Sequence, residues 1–159
     1  MSLLTNKTVY NVCCHESADF YIAGQEDKIR RIGLKDTYFP QDWIYDETSF
    51  LDELSQIYAY FDGKRKAFDI DFTIDGESFK DEVLRSISKI PYGETRSYKE
   101  VAIMSGSPNA ARAVGNVCRN NKLFLLIPCH RVVASNGIGG YGNKISTKKW
   151  LLNMEKLNT

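Results

Sequence analysis

Cys129 and His130 are adjacent, and they follow the apolar run Leu125-Leu126-Ile127-Pro128. A thiol next to an imidazole is a nucleophile beside a base. Cysteine reacts as its thiolate, and at an ordinary pKa near ~8.5 only a few per cent is ionised at neutral pH, so a group that takes the proton matters. The pair alone is weak, because a buried structural thiol beside a surface imidazole looks the same in sequence. Geometry adds an obstacle. The apolar run reads as a buried strand, and neighbouring strand residues point to opposite faces. Cooperation then requires a bend or a bridging water, and Pro128, confined to strand ends and edges, makes the bend reasonable.

An acid that orients the imidazole would complete the arrangement. The chain closes with a helix expected from Ser146 to about Leu157, whose apolar stripe is Trp150, Leu151, Met154 and Leu157. Glu155 lies at the edge of that stripe. Spacing alone favours an exposed glutamate; a buried one would need a partner, and His130 is the candidate. Between the nucleophile and this helix, Ala134 to Asn143 is rich in glycine with one aromatic, Tyr141. It lacks the lysine pattern of a phosphate-binding loop and opens no helix after GxGxxG. Such a loop can fold over a flat ligand, or be a mobile surface loop.

Upstream, Phe79, Val83, Leu84, Ile87 and Ile90 fall at helical offsets and end at Pro91-Tyr92-Gly93. A short helix from about Tyr98 to Met104, a Ser105-Gly106-Ser107-Pro108 break and a helix from Asn109 to about Arg119 give the outline of a helix-turn-helix. In that last helix Ala110, Val114, Val117 and Cys118 share one face, and Arg112, Asn116 and Arg119 share the opposite one. Small residues at Ala110, Ala111, Ala113 and Gly115 allow close backbone approach. A helix lying in a DNA groove needs both features, although an amphipathic helix with solvated arginines shows the same periodicity.

The first part reads differently. Lys7 to Cys13, Ala18 to Gly24 and Lys28 to Leu34 are expected strands joined as hairpins. Apolar positions from Asp46 to Phe61 trace one helical face, Asp69 to Ile74 alternates like a strand, and Asp75-Gly76 marks the boundary. The fold expected is therefore an α/β N-terminal domain (a short antiparallel sheet plus a helix) over residues 1–76. A mainly α C-terminal domain with a helix-turn-helix follows over 77–159.

Composition bounds the chemistry. A chain of 159 residues with 43% hydrophobic residues can build a core. The longest apolar run, Leu123 to Pro128, is far short of the ~20 residues of a membrane span, and residues 1–5 lack the regions of a signal peptide. An intracellular, cytoplasmic protein is expected. The four cysteines form no disulfide framework, and Cys13-Cys14-His15 lacks zinc-site spacing; it reads as a strand end with buried thiols. No metal is expected. Net charge is only +1, yet residues 1–76 carry 8 Lys and Arg against 14 Asp and Glu, and residues 77–159 carry 13 against 6. A basic second half suits a polyanion partner, as does a mixed, solvated surface.

Taken together, Ile127-Pro128-Cys129-His130-Arg131-Val132-Val133, Asn109-Ala110-Ala111-Arg112-Ala113-Val114-Gly115, Gly140-Tyr141 and Lys149-Trp150-Leu151-Leu152 closely resemble the O6-alkylguanine-DNA alkyltransferases. Ile90-Pro91-Tyr92-Gly93-Glu94-Thr95 and Tyr98 fit the same pattern, so the resemblance covers the chain from about residue 77 onward. It implies direct-reversal DNA repair, in which Cys129 takes the alkyl group from guanine O6 once and is consumed. It further implies that His130, through water, and Glu155 activate the thiol, and that Asn121 braces the segment carrying it. The helix-turn-helix would enter the minor groove, Arg112 would replace the flipped nucleotide, and Tyr98 would assist flipping and donate to guanine N3. Tyr141 would pack on the base, while the backbone of Val132 and Gly142 would bond its edge. Ala110, Ala111, Gly115, Arg119 and Ser135 would face DNA. The implied partner is double-stranded DNA containing O6-alkylguanine, met by a monomer without cofactor, in the cytoplasm or in a eukaryotic nucleus. Gly142-Asn143-Lys144 departs from the family's small residue and two glycines, and Asn116 stands where a second glycine is frequent. Two rivals use the same residues: a module that recognises alkylated bases without transfer, and a cysteine hydrolase built on Cys129, His130 and Glu155.

Overall fold

A computed structural model describes residues 6–16, 18–35, 40–141 and 144–159. The chain divides into two compact units: one runs up to Phe72 and includes Lys122–Phe124, and the other comprises Thr73–Asn121 and Leu125–Thr159.

In the first unit β1 (Val9–His15), β2 (Ala18–Gln25) and β3 (Lys28–Leu34) form an antiparallel meander. Glu26 and Asp27 both have positive φ (50° and 60°), the two-residue turn whose twist matches its flanking strands. A two-residue strand β4 (Ile44–Tyr45), not foreseen from sequence, adds parallel to β1. Beyond the outer edge of β3, Leu123 bridges to Ile32, with Ile32 N–H donating to Lys122 O at 2.9 Å. The central strand is covered on both faces, since Phe20, Tyr21, Ile22 and Ala23 are all buried. Phe20 meets Phe61 of α1 (Leu51–Phe61), and Tyr21 meets Trp43 edge-on. Cys13 is buried within β1 while Cys14 is exposed.

Two expectations fail here. The helix starts at Leu51 rather than Asp46, because the Asp46 carboxylate accepts from Thr48 N–H at 2.9 Å in a local turn and Phe50 sits at φ 59°. Among the described residues, 69–74 pair with no strand. Their alternation is real, with even positions half-buried and odd ones exposed, but it is not accompanied by strand hydrogen bonds.

The second unit is mainly helical. Helix α2 (Phe79–Ser88) begins with a capping box between Ser78 and Asp81, and α3 (Tyr98–Met104) with one between Ser97 and Glu100. Helix α4 (Ala111–Arg119) packs on α3, so the helix-turn-helix is present, and α5 (Ile145–Leu157) closes the unit. One small sheet was unforeseen: β5 (Arg96–Ser97) pairs in parallel with β6 (Val132–Val133). Among the described residues, no helix is long and apolar enough to cross a membrane.

Candidate active site

The apolar run before Cys129 is buried, but it is not a strand. Leu125 has φ 73°, and Cys129–Arg131 form a single 3-10 turn entered from Pro128, whose carbonyl accepts from Arg131 N–H at 2.9 Å. The bend that the Cys-His pair required is this turn. The β5–β6 ladder then sets Ser97 opposite Val133, so Tyr98, the first residue of α3, lies beside the chain that leaves the turn.

Cys129, His130 and Glu155 are all almost wholly buried, at 3%, 0% and 0% exposure. Glu155 is therefore an interior residue, against the exposed position that spacing alone favoured. His130 Nε2 lies 2.8 Å from Glu155 Oε1. The same carboxylate accepts from Arg131 Nη2 at 2.7 Å, from Arg131 Nε at 3.0 Å and from Gly93 N–H at 3.0 Å. Arg131 also donates to Ile90 O at 2.7 Å and lies over the Tyr92 ring. Burial opposes ionisation of Glu155, but the bonds and charges of His130 and Arg131 outweigh it and hold the carboxyl well below the usual carboxylate range. Burial pushes the His130 pKa down despite the carboxylate, so the imidazole is neutral at pH 7. An ionised carboxylate only accepts, so Nε2 carries the proton and Nδ1 is the basic nitrogen. This tautomer follows from the bonding network.

Burial raises the Cys129 pKa, and hydrogen bonding from Asn121, the charge of Lys148 and hydrogen bonding from Tyr141 oppose it. Asn121, just past the end of α4, also donates to Ile127 O at 2.9 Å and so ties down the chain two residues before the thiol. Tyr98 reaches the same region, where Gly139 has φ 75° and a Cβ added there would fall 2.9 Å from the Tyr98 hydroxyl. Glycine is what lets the loop lie on that ring.

Of the other expected site residues, Arg112, Arg119 and Asn116 are exposed along one side of α4, while Val114 and Val117 are buried on the other. Ala110, Ala111 and Gly115 are half-buried at or near the start of that helix, and Ser135 is exposed in the loop after β6. Val132 is buried, and Gly142 lies outside the described residues, as does Asn143. The helix α4 begins at Ala111, two residues later than expected. Leu157, assigned to the apolar stripe of α5, is 76% exposed. The buried face of that helix is instead Thr147, Lys148, Leu151, Met154 and Glu155.

Two buried cations, Arg131 and Lys148, were not singled out from the sequence, because apolar periodicity assigns every lysine and arginine to water. A usable signal existed: Lys148, Leu151 and Glu155, at i, i+3 and i+7, share one helical face.

Comparison with known proteins gives the family. A family model described as the DNA-binding domain of 6-O-methylguanine DNA methyltransferase matches residues 78–157. The methylated-DNA–protein-cysteine methyltransferase of Methanosarcina barkeri is 39% identical over 142 residues, covering 86% of this chain and 90% of the relative. That of Mycobacterium bovis is 41% identical over 126 residues, covering 77% and 76%. The crystal structure of Mycobacterium tuberculosis O6-methylguanine methyltransferase superposes with a TM-score of 0.88 at 33% identity, covering 96% of this chain and 94% of that one. The Mycobacterium tuberculosis protein in complex with DNA gives 0.87 at 34%, covering 94% of each. With this identity over nearly the whole of both chains, the protein belongs to the methylated-DNA–protein-cysteine methyltransferase family.

Proposed function

We propose that this protein repairs O6-alkylguanine in double-stranded DNA by moving the alkyl group onto Cys129 in a single displacement. The observation that carries the reading is the buried His130–Glu155 bond at 2.8 Å, built directly onto the turn that holds the thiol. Glu155 fixes the imidazole with Nδ1 as the basic nitrogen, and Nδ1 takes the thiol proton through a water. The sulfur attacks the alkyl carbon, the carbon–O6 bond breaks, and its electron pair leaves with guanine. Developing negative charge on the base needs donors, and Tyr98 with the backbone N–H of Gly142 supplies them, while the Val132 backbone bonds the base edge and Tyr141 packs on the ring. No metal or cofactor enters. The thioether has no easy reversal, so each molecule acts once.

A base within a duplex cannot reach a thiol that is 3% exposed, so the nucleotide must be flipped, at a cost of a few kcal/mol that damage lowers. Arg112, exposed on α4, fills the vacated stack, and Asn121 braces the nucleophile. Ala110, Ala111, Gly115, Arg119 and Ser135 meet the DNA. The protein acts as a monomer, in the cytoplasm or, in a eukaryote, the nucleus. Replacing Cys129 by Ser should abolish methyl transfer from an O6-methylguanine duplex while duplex affinity, read by fluorescence anisotropy, is kept. Transfer surviving in Cys129→Ser would overturn the reading.

A further inference from the structure

The Glu155 carboxylate is held by donors of two origins. His130 Nε2 and the Arg131 guanidinium come from the turn that carries the thiol, whereas Gly93 N–H, donating to Oε2 at 3.0 Å, comes from the segment between α2 and β5. The last torsion of a glutamate is broad, so a bond at Oε2 from outside the turn sets the plane of the carboxyl and with it the place of Oε1. That second oxygen is the one that meets His130 at 2.8 Å. The backbone at Gly93 aims this donor. Glu94 N–H donates to Pro91 O at 3.1 Å, Tyr92 keeps a negative φ and Gly93 has φ 78°, which together define a type II turn. The type I counterpart follows the same path with its central peptide turned over. The Gly93 N–H would then point away from Glu155, and the Tyr92 carbonyl would point towards it. A residue with a side chain favours that negative-φ alternative. The flanking residues grip the partner of the carboxylate: Ile90 O accepts from Arg131 Nη1 at 2.7 Å, and the centre of the Tyr92 ring lies 5.7 Å from the guanidinium carbon.

We propose that Gly93 is a positioning residue of the alkyl-transfer site, whose backbone N–H, aimed by a left-handed turn, sets the Glu155 carboxylate that orients His130. This deepens the reading of Cys129 as the acceptor and rests on it. Without the bond, Glu155 stays joined to the Cys129–Arg131 turn but loses the donor that fixes the carboxyl plane, and His130 Nδ1 is no longer held as the basic nitrogen. Space also selects glycine here. A Cβ added at position 93 would fall 2.4 Å from Thr159 Cγ2, yet 3.5 Å from Thr159 Cβ, an ordinary contact. The steric role therefore ends at Thr159→Ala, whereas the donor role does not.

Two changes to the full chain separate these roles. An ester in place of the Tyr92–Gly93 amide, made by coding glycolic acid at position 93, removes the proton and keeps an unsubstituted backbone. Gly93→Asn combined with Thr159→Ala keeps the proton and adds a side chain, asparagine being a residue that tolerates positive φ. Thermal melts confirm that each protein is folded. Carboxamidomethylation of Cys129 by iodoacetamide is followed from pH 5 to 10 with peptide mapping; the sulfur displaces iodide, and the thiol proton passes through His130 to solvent. Nitrogen NMR shifts of His130, one of two histidines in the chain, report its tautomer. The ester should react about tenfold more slowly at pH 7, as befits a lost hydrogen bond to a charged group, with the Nδ1 and Nε2 resonances moved towards each other. The asparagine double variant should recover most of the rate and the wild-type shifts. An ester profile that superimposes on the wild type would overturn the proposal. So would a double variant that loses as much as the ester, because glycine would then serve space alone. Neither readout needs DNA, so both stay informative if the wild type takes no methyl from an O6-methylguanine duplex. That separate result would remove the alkyl-transfer reading instead.

Discussion

The two units bury different kinds of polar group. In the first, the buried polar side chains among the described residues are neutral: Asn11 donates to Glu47 O and Ser49 O, and Gln56 donates to Asp69 O and accepts from Asp69 N–H. Each ties a loop to an element, at the modest net gain of an ordinary hydrogen bond. The second unit buries His130, Arg131, Lys148 and Glu155 within one neighbourhood. Ionised groups cost several kcal/mol each to desolvate, and replacing such a set by well-packed apolar residues is often neutral or stabilising. Stability therefore does not account for them. Buried, paired ionisable groups concentrate at functional sites, and this set lies in the unit that carries Cys129.

The contrast can be broken most forcefully at Glu155. Replacing it by Ala leaves Arg131 buried without its partner and should cost about 3–5 kcal/mol in urea unfolding. Gln56→Ala in the first unit should cost only about 1–3 kcal/mol. Equal losses would mean that the charged cluster is held no differently from an ordinary polar contact.

Acid should act on the same cluster. The His130 pKa is lowered by folding from its usual 6.5, so below that pH the unfolded chain takes up protons that the native imidazole refuses. Glu155 is lowered from 4.5, so its contribution is complete above that value and is lost as pH falls further. Both effects have the same sign: the unfolding midpoint should drop as pH goes from 7 to 4. In His130→Gln the part between pH 7 and 5 should disappear; an unchanged slope there would place the titration elsewhere.

Glu155→Gln is milder, keeping the shape while losing the charge. It should slow methylation of Cys129 and shift the pH–rate profile, and an identical profile would remove Glu155 from the relay. The smallest expected effect on stability is at Arg112, which is exposed. Arg112→Ala should stay within about 0.5 kcal/mol of the wild type in unfolding, yet lose far more activity on duplex than on free O6-methylguanine. Equal losses on both substrates would contradict its role in flipping.

Much of this was legible in the sequence where local chemistry decides the outcome. The β-branched and aromatic runs gave the three-stranded meander, and helical offsets gave α2 to α4 with Arg112, Asn116 and Arg119 outward. The motif around Cys129 gave the chemistry, but not its geometry. An apolar run that is buried on all sides has no period, so Leu125–Pro128 could not be told from a strand, and the left-handed Leu125 is set by its tertiary surroundings. The short β5–β6 ladder is a long-range pairing of two residues with two, which leaves no local pattern. Glu155 and Lys148 were hidden by the rule that charge faces water, which fails where partners are built into the interior. The alternation at residues 69–74 misled because a pleated, half-buried chain need not pair.

The most direct test of the account is to incubate the protein with a short duplex containing one O6-methylguanine, weigh it intact and map the adduct. The account predicts a gain of one methyl group per molecule, carried by Cys129, with no further reaction when duplex is in excess. An unchanged mass while the duplex is bound tightly, or a methyl on any other residue, would contradict it.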